Sequence, residues 1–189
     1  MDRDENIRCA AIRMARLHHL DLQYFANAAT QDPSVSVKRE ALLALRHSRE
    51  PQAPAIWAKL ATQYDGKDRW YLEALGIAAD ENWDTYFEAW LNLVGQDWQL
   101  GKNRDIVWRS RAAKTTEMLT QLIVQSEGKE QLRYFRALDF QKVRANRSFC
   151  SKHLMMAKPL TRFRCWFSNT LTLKMRSQQR HLILYFRVF

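Results

Sequence analysis

The chain reads as an all-α protein, a stack of about four helical hairpins, and three observations predict it. Glycine (5) and proline (4) are scarce in 189 residues, which suits helices better than a turn-rich β sandwich. Apolar residues recur at i, i+4, i+7 and i+8 through much of residues 1–140, the stripe of a helix with one buried side. The same cap and stripe then return at intervals of 30 to 33 residues, which marks an internal repeat. With 47% hydrophobic residues the chain can fill a core between such units.

The first helix is predicted from about Asp4 to His18, with Ile7, Ala11, Met14 and Ala15 as its stripe. Cys9 lies beside that stripe and is expected to be a buried free thiol. Asp21 opens a second helix through Leu22, Phe25, Ala26 and Ala29. Gln31-Asp32-Pro33 ends this pair, with Asp32 as N-cap of the next helix and Pro33 at its first position. That third helix runs to about His47 and carries Val37, Ala41, Ala44 and Leu45, the stripe of the first helix shifted by 30 residues. Residues 54–64 supply its partner, with Ile56, Trp57, Leu60 and Ala61 apolar.

Residues 64–79, YDGKDRWYLEALGIAA, form the central repeat. At a further shift of 33, Asp65 lies over Asp32, Trp70 over Val37 and Ala78 over Leu45. Trp70, Ala74, Ile77 and Ala78 then form the stripe, so Trp70 is expected between layers. Asn82 opens a partner helix with Trp83, Tyr86, Phe87, Trp90, Leu91 and Val94, and Gly95 stops it. A looser connection, residues 96–103, leads to a fourth copy in which Trp108 lies over Trp70 at a shift of 38. Thr115 and Thr116 fall where its stripe should be apolar, so that copy is degenerate. Met118, Leu119, Leu122 and Ile123 continue it to about Gln125, and Glu130 to Phe140 starts a fifth unit.

A hairpin with one apolar side must bury it on a neighbour, so the units are expected to stack as a solenoid. A non-repetitive helical bundle is the alternative. The pattern Asp32-Pro33-x-Val35-x-Val37-Lys38-x-x-Ala41-x-x-Ala44-Leu45-Arg46 resembles the HEAT repeat, in which the Asp caps a helix and a basic residue sits one turn in. The strings 64–78 and 104–111 resemble, more narrowly, the helical-repeat region of large bacterial haem-binding CxxCH proteins, often labelled membrane-bound dehydrogenases. The resemblance covers about Asp2 to Phe140. It implies a scaffold piece of an electron-transfer protein whose other parts would be a propeller and a c-type cytochrome domain. This chain contains no CxxCH, so haem c is expected only in those other parts and no cofactor in this chain.

Charge divides the sequence. Residues 141–189 hold 11 of the 30 Lys and Arg and no Asp or Glu, leaving 19 basic against 20 acidic residues in 1–140. The expected organisation is a HEAT-like repeat domain, 1–140, and a basic tail, 141–189, poorly ordered or non-native. A shifted reading frame or a truncated gene accounts for the tail. The functional alternative is a basic, aromatic-interleaved arm for nucleic acid or lipid. The run Leu182-Ile183-Leu184-Tyr185-Phe186 is expected to favour aggregation. No apolar run is long enough to span a membrane, and no signal peptide opens the chain. As written it is expected in the cytoplasm, whereas the resembled proteins belong to the periplasm or cell envelope.

Residues with the makings of a site are few. Asp68 and Arg69 beside Trp70, and Arg109 and Arg111 after Trp108, place charge next to aromatics. They either line an interaction surface or flank helices whose tryptophans are core. Cys150 and His153 offer two ligands without a second pair. His18 and His19 are adjacent, which suits chelation poorly, since neighbouring helix positions diverge by about 100°. Glu81, Asp84 and Glu88 sit at a helix start, where the dipole favours acids. No Ser/His/Asp set or phosphate loop is present. The expected function is a non-catalytic scaffold whose partners are proteins or other domains of a larger parent. The alternative is a nucleic-acid-binding repeat protein using the tail.

Overall fold

The computed structural model of the chain describes residues 2–18 and 20–141. Among them the secondary structure is entirely helical. It comprises α1 (Glu5–Leu17), α2 (Leu22–Ala29), α3 (Val35–Ala44), α4 (Ala53–Thr62), α5 (Arg69–Ala78), α6 (Trp83–Val94), α7 (Asn103–Arg109), α8 (Thr115–Gln125) and α9 (Gly128–Leu138). A 3-10 turn, Gly95–Gln99, occupies the connection read as loose. The basic residues beyond Gln141, the Leu182–Phe186 run, Cys150, His153 and His19 lie outside the described residues.

The helices pack in two series. α1, α3, α5 and α7 each pack on the next odd helix, α2 and α4 each on the next even one, and α8 packs on α7 and α9. The seams are rich in alanine: Ala26, Ala41, Ala58, Ala61, Ala78 and Ala79 are fully buried. Small side chains let helix axes approach, and larger residues fill the space between the series. Trp57 is the clearest of these. It is fully buried, donates its indole N–H to Leu75 O at 3.0 Å, and meets the rings of Trp83 and Tyr86 edge-on. Tyr71 answers from α5 with a bond to Leu60 O at 2.9 Å. Both bonds use carbonyls in the last turn of a neighbouring helix, which also accept the N–H of Ala79 and of Gln63.

The turns repeat as well as the helices. Asp2, Asp32 and Asp65 each accept the backbone N–H two residues on, at 2.8 Å. A second residue then caps the helix: Asp4 binds Asn6 N, Ser34 binds Val37 N, and Asp68 binds Trp70 N and Tyr71 N. The N-cap of α3 is therefore Ser34, not Asp32, and α3 begins at Val35 rather than at Pro33. After α3 and α5, His47 and Glu81 hold the left-handed region (φ 60° and 69°) at equivalent places, 3.3 Å apart as a pair.

These turns also explain where the expected phase fails. One residue separates Asp32 from Ser34, but Gly66 and Lys67 separate Asp65 from Asp68. The extra residue moves the helical register from a shift of 33 to 34 and rotates it by about 100°. Val37 is matched by Tyr71, which is buried, and Trp70 is turned outward at 72% exposure. Ile77 is exposed too, so of the expected α5 stripe Ala74 and Ala78 are buried, and Tyr71, Leu72 and Leu75 take the places read for Trp70 and Ile77. Gly66 permits the insertion through its φ of +83°. On α1 the buried residues are Cys9, Ile12 and Ala15, while Ile7 and Met14 are about half exposed (52% and 49%). Among the described residues no helix covers that side of α1. The fourth unit is not degenerate in the expected way. α7 is only seven residues long, and Thr115 and Thr116 open α8, buried, with Thr115 Oγ1 2.7 Å from Ser110 Oγ.

Ion pairs join every step of the odd series. Arg8 reaches Asp32 at 2.7 Å, Arg39 faces Asp68 at 3.5 Å, Arg109 meets Glu73 at 3.0 Å, and Arg133 meets Asp105 at 2.7 Å. The first is the most enclosed, with the Asp32 side chain 1% exposed and bidentate with Arg8. The hydrogen bond from Arg8 holds the Asp32 carboxyl below the ordinary carboxylate range, aided by the N–H of Ser34.

Two predictions follow from this packing. Trp57→Ala should cost about 3–5 kcal/mol in chemical denaturation, as for other large core truncations, whereas Trp70→Ala should stay within about 0.5 kcal/mol, as at open surface. Asp32→Ala should cost about 2–4 kcal/mol near neutral pH, the scale of a broken, largely enclosed ion pair. Because the folded-state pKa is depressed, that stability is present above the unfolded value of about 3.9 and is lost as pH falls through the folded value. Denaturation curves of the two proteins should therefore converge in acid; a constant gap down to the acid transition would remove Asp32 ionisation as the cause.

Candidate functional site

The most distinctive surface lies on the odd helices. α1, α3 and α5 run side by side, and their outer face encloses a groove of about 570 Å³. Cys9, Leu43, Ala74 and Ile77 make its floor, and Trp70, Arg13 and Arg39 rise around it. Trp70 is there because the inserted residue in the preceding turn sets the register of α5, and its equivalent in α3, Ser36, lines the same groove.

The residues singled out in the sequence separate into three situations. Asp68 caps α5 and lies 3.5 Å from Arg39. Arg69 is 82% exposed at the side chain and approaches Glu73 only to 3.9 Å. Arg109 crosses α5 to bond Glu73 at 3.0 Å, and it does so over Gly76. A Cβ at Gly76 would stand 2.2 Å from the Arg109 guanidinium carbon. Arg111 belongs elsewhere: it donates to the carbonyls of Trp108, Arg109 and Ser110 and covers the Phe140 ring at 5.1 Å. Burial, and then the charge of Arg109, pull its guanidinium below its usual pKa. Arg111 thus closes the C-terminus of α7 and leaves the candidate surface. Trp108 is half-buried beneath Arg133, at 4.6 Å.

Sequence reasoning missed Arg13, Arg39 and Glu40. Arg13 bonds Glu40 at 2.8 Å, and Arg39 makes no hydrogen bond among the described residues. Their signal was their position: both arginines point away from the buried stripes of α1 and α3. The Glu81, Asp84 and Glu88 carboxylates do not converge. Glu81 pairs with His47, Asp84 accepts the Ala113 N–H at 2.6 Å, and Glu88 meets Lys114 at 3.1 Å. They tie one unit to the next, and Asp84 stands in the first turn of α6, as expected for an acid at a helix start.

A second, larger cavity of about 670 Å³ lies between the α1–α2 and α3–α4 turns. Arg16, Arg46, His47 and Arg49 meet Asp21 and Glu50 there, so its charge is mixed. Trp90 Nε1 and Ser126 Oγ are buried polar atoms without partners, and neither lines either cavity. Among the described residues no three His, Cys, Asp or Glu side chains gather. No helix there is long and apolar enough to cross a membrane. No protein-family model, curated protein or solved structure matches the chain.

The Gly76–Arg109 contact can be tested by a double-mutant cycle. Gly76→Ala should change stability by less than about 0.5 kcal/mol, because helix propensity worth about 1 kcal/mol is offset by displacing Arg109 from Glu73. In an Arg109→Ala background the same substitution should stabilise by about 0.5–1 kcal/mol. Equal effects in both backgrounds would mean that Arg109 does not need the space above Gly76.

Proposed function

We propose that the chain is a non-catalytic interaction module, a HEAT-like array that presents the face of its odd helices to a protein partner. The observation that carries this reading is the exposed Trp70, held on rigid helices between arginines whose hydrogen-bonding capacity is not used up within the fold. Large aromatics and arginines are the side chains that dominate protein interfaces. The HEAT-like reading draws on the repeated Asp turns and on the basic residues that reach the next unit's turn or cap, as Arg8 does to Asp32 and Arg39 to Asp68. Membership in a larger haem-binding, dehydrogenase-type electron-transfer protein rests on the resemblance of strings 64–78, 104–111 and 134–140. In that setting the module would dock other domains, and haem chemistry would belong to them.

The rival reading, nucleic-acid binding, places affinity in the basic residues after Gln141. The repeats themselves carry 19 basic against 20 acidic residues and lack the basic stripe that a DNA-binding solenoid needs. The experiment replaces Arg69 and, as a control, Lys59 with a photo-cross-linking amino acid in the full chain. Cross-links to one protein, identified by mass spectrometry, should form from position 69 and not from 59. A chain ending at Gln141 should show no salt-dependent binding to duplex DNA. Adducts from both positions alike, or DNA binding that survives the truncation, would sink the proposal.

A further inference from the structure

We infer that the groove across α1, α3 and α5 binds a short extended peptide carrying one or two carboxylates beside an apolar ring. This rests on the interaction-module reading and adds the chemistry of the partner. Three features of the groove select that occupant.

The first is charge. Arg13 and Arg39 line the groove against Glu40 and Glu73, so the lining itself is balanced. Arg69 and Arg109 stand at its edge on Glu73, and Asp68 on Arg39, which leaves one positive charge in excess around it. Glu73 is shared between Arg69 and Arg109. The second is open hydrogen-bonding capacity. Arg39 and Arg69 face their carboxylates at 3.5 and 3.9 Å without a hydrogen bond. A guanidinium offers five N–H donors, and an incoming carboxylate can take two in parallel. The third is Trp70. Its exposed indole stands beside an apolar floor of Leu43, Ala74 and Ile77, where a phenylalanine or proline ring gains contact area.

Size and sign narrow the class further. Three neighbouring helices span two steps of about 8–10 Å, which roughly six extended residues cross. A polyanion fits poorly, because Glu40, Asp68 and Glu73 stand beside the arginines along the path a phosphate backbone would follow. Isolated carboxylates can meet Arg39 and Arg69 individually. The ligand chemistry is thus acidic and apolar together.

The test uses the full chain and fluorescein-labelled octapeptides that carry two glutamates, at varied spacing, around one phenylalanine. Fluorescence anisotropy should detect binding by at least one spacing, and replacing its glutamates by glutamines should weaken binding tenfold or more. Trp70→Ala, Arg39→Glu and Arg69→Glu should each cause a similar loss with an unchanged circular dichroism spectrum, while Arg49→Glu should have no effect. Trp70 and Arg69 are exposed, so two of these variants remain informative even if Arg39→Glu unfolds. The inference fails if no peptide binds. It also fails if binding ignores Trp70 and Arg69, which would place it on the basic residues after Gln141. An oligo-dT that displaces the peptide and loses its own binding in Arg69→Glu would make the groove a nucleic-acid site instead. Failure of the peptides alongside discrete cross-links from position 69 would leave the interaction module standing with a different partner.

Discussion

The stack depends on alanine. Ala41 and Ala78 are fully buried on the odd helices, and Ala58 and Ala61 on the even ones. A helix must touch neighbours on two sides to join a series, and small side chains let it do so without forcing the axes apart. The large residues then lie between the series. Trp57 from α4 reaches the end of α5, and Tyr71 from α5 reaches the end of α4. Neighbouring units therefore share hydrogen bonds as well as apolar cover.

Much of this architecture was legible in the residues. Aspartates at turns, apolar stripes and Gly95 as a helix stop (φ 53°) mark the helices closely. The all-helical class and the helix–turn–helix order follow from them. The rotational phase of α5 did not follow. Aligning Asp65 with Asp32 is correct for the turn and wrong for the helix, because the intervening loop holds one more residue. Periodicity alone cannot detect this in α5, where Trp70, Tyr71, Leu72, Ala74 and Leu75 offer apolar stripes in more than one phase. The buried threonines at positions 115 and 116 misled for another reason. The Ser110 and Thr115 hydroxyls pair with each other, and Ser110 Oγ also accepts the Ala112 N–H, which polarity counts do not reveal.

The candidate surface was half legible. Asp68, Arg69 and Arg109 do gather around Glu73 and the edge of the groove, whereas Arg111 turns back onto the chain it ends. Arg13 and Arg39 belong to the same face but come from units 30 or more residues earlier than α5 and α7. No local motif joins such residues; only stacking does. Trp70 shows how one inserted glycine in a turn converts a core position into a surface one while leaving its neighbour Tyr71 to fill the seam.

The lateral ion pairs close chain segments of similar length, from 24 residues for Arg8 and Asp32 to 36 for Glu73 and Arg109. The entropy of closing a segment grows only with the logarithm of its length, so each step of the stack costs the chain nearly the same. No pairing of distant ends has to form before the others become favourable. Such a chain has low contact order, the property that accompanies rapid folding in helical proteins. Its units can also be added or lost one at a time, because each is held mainly by its immediate neighbours.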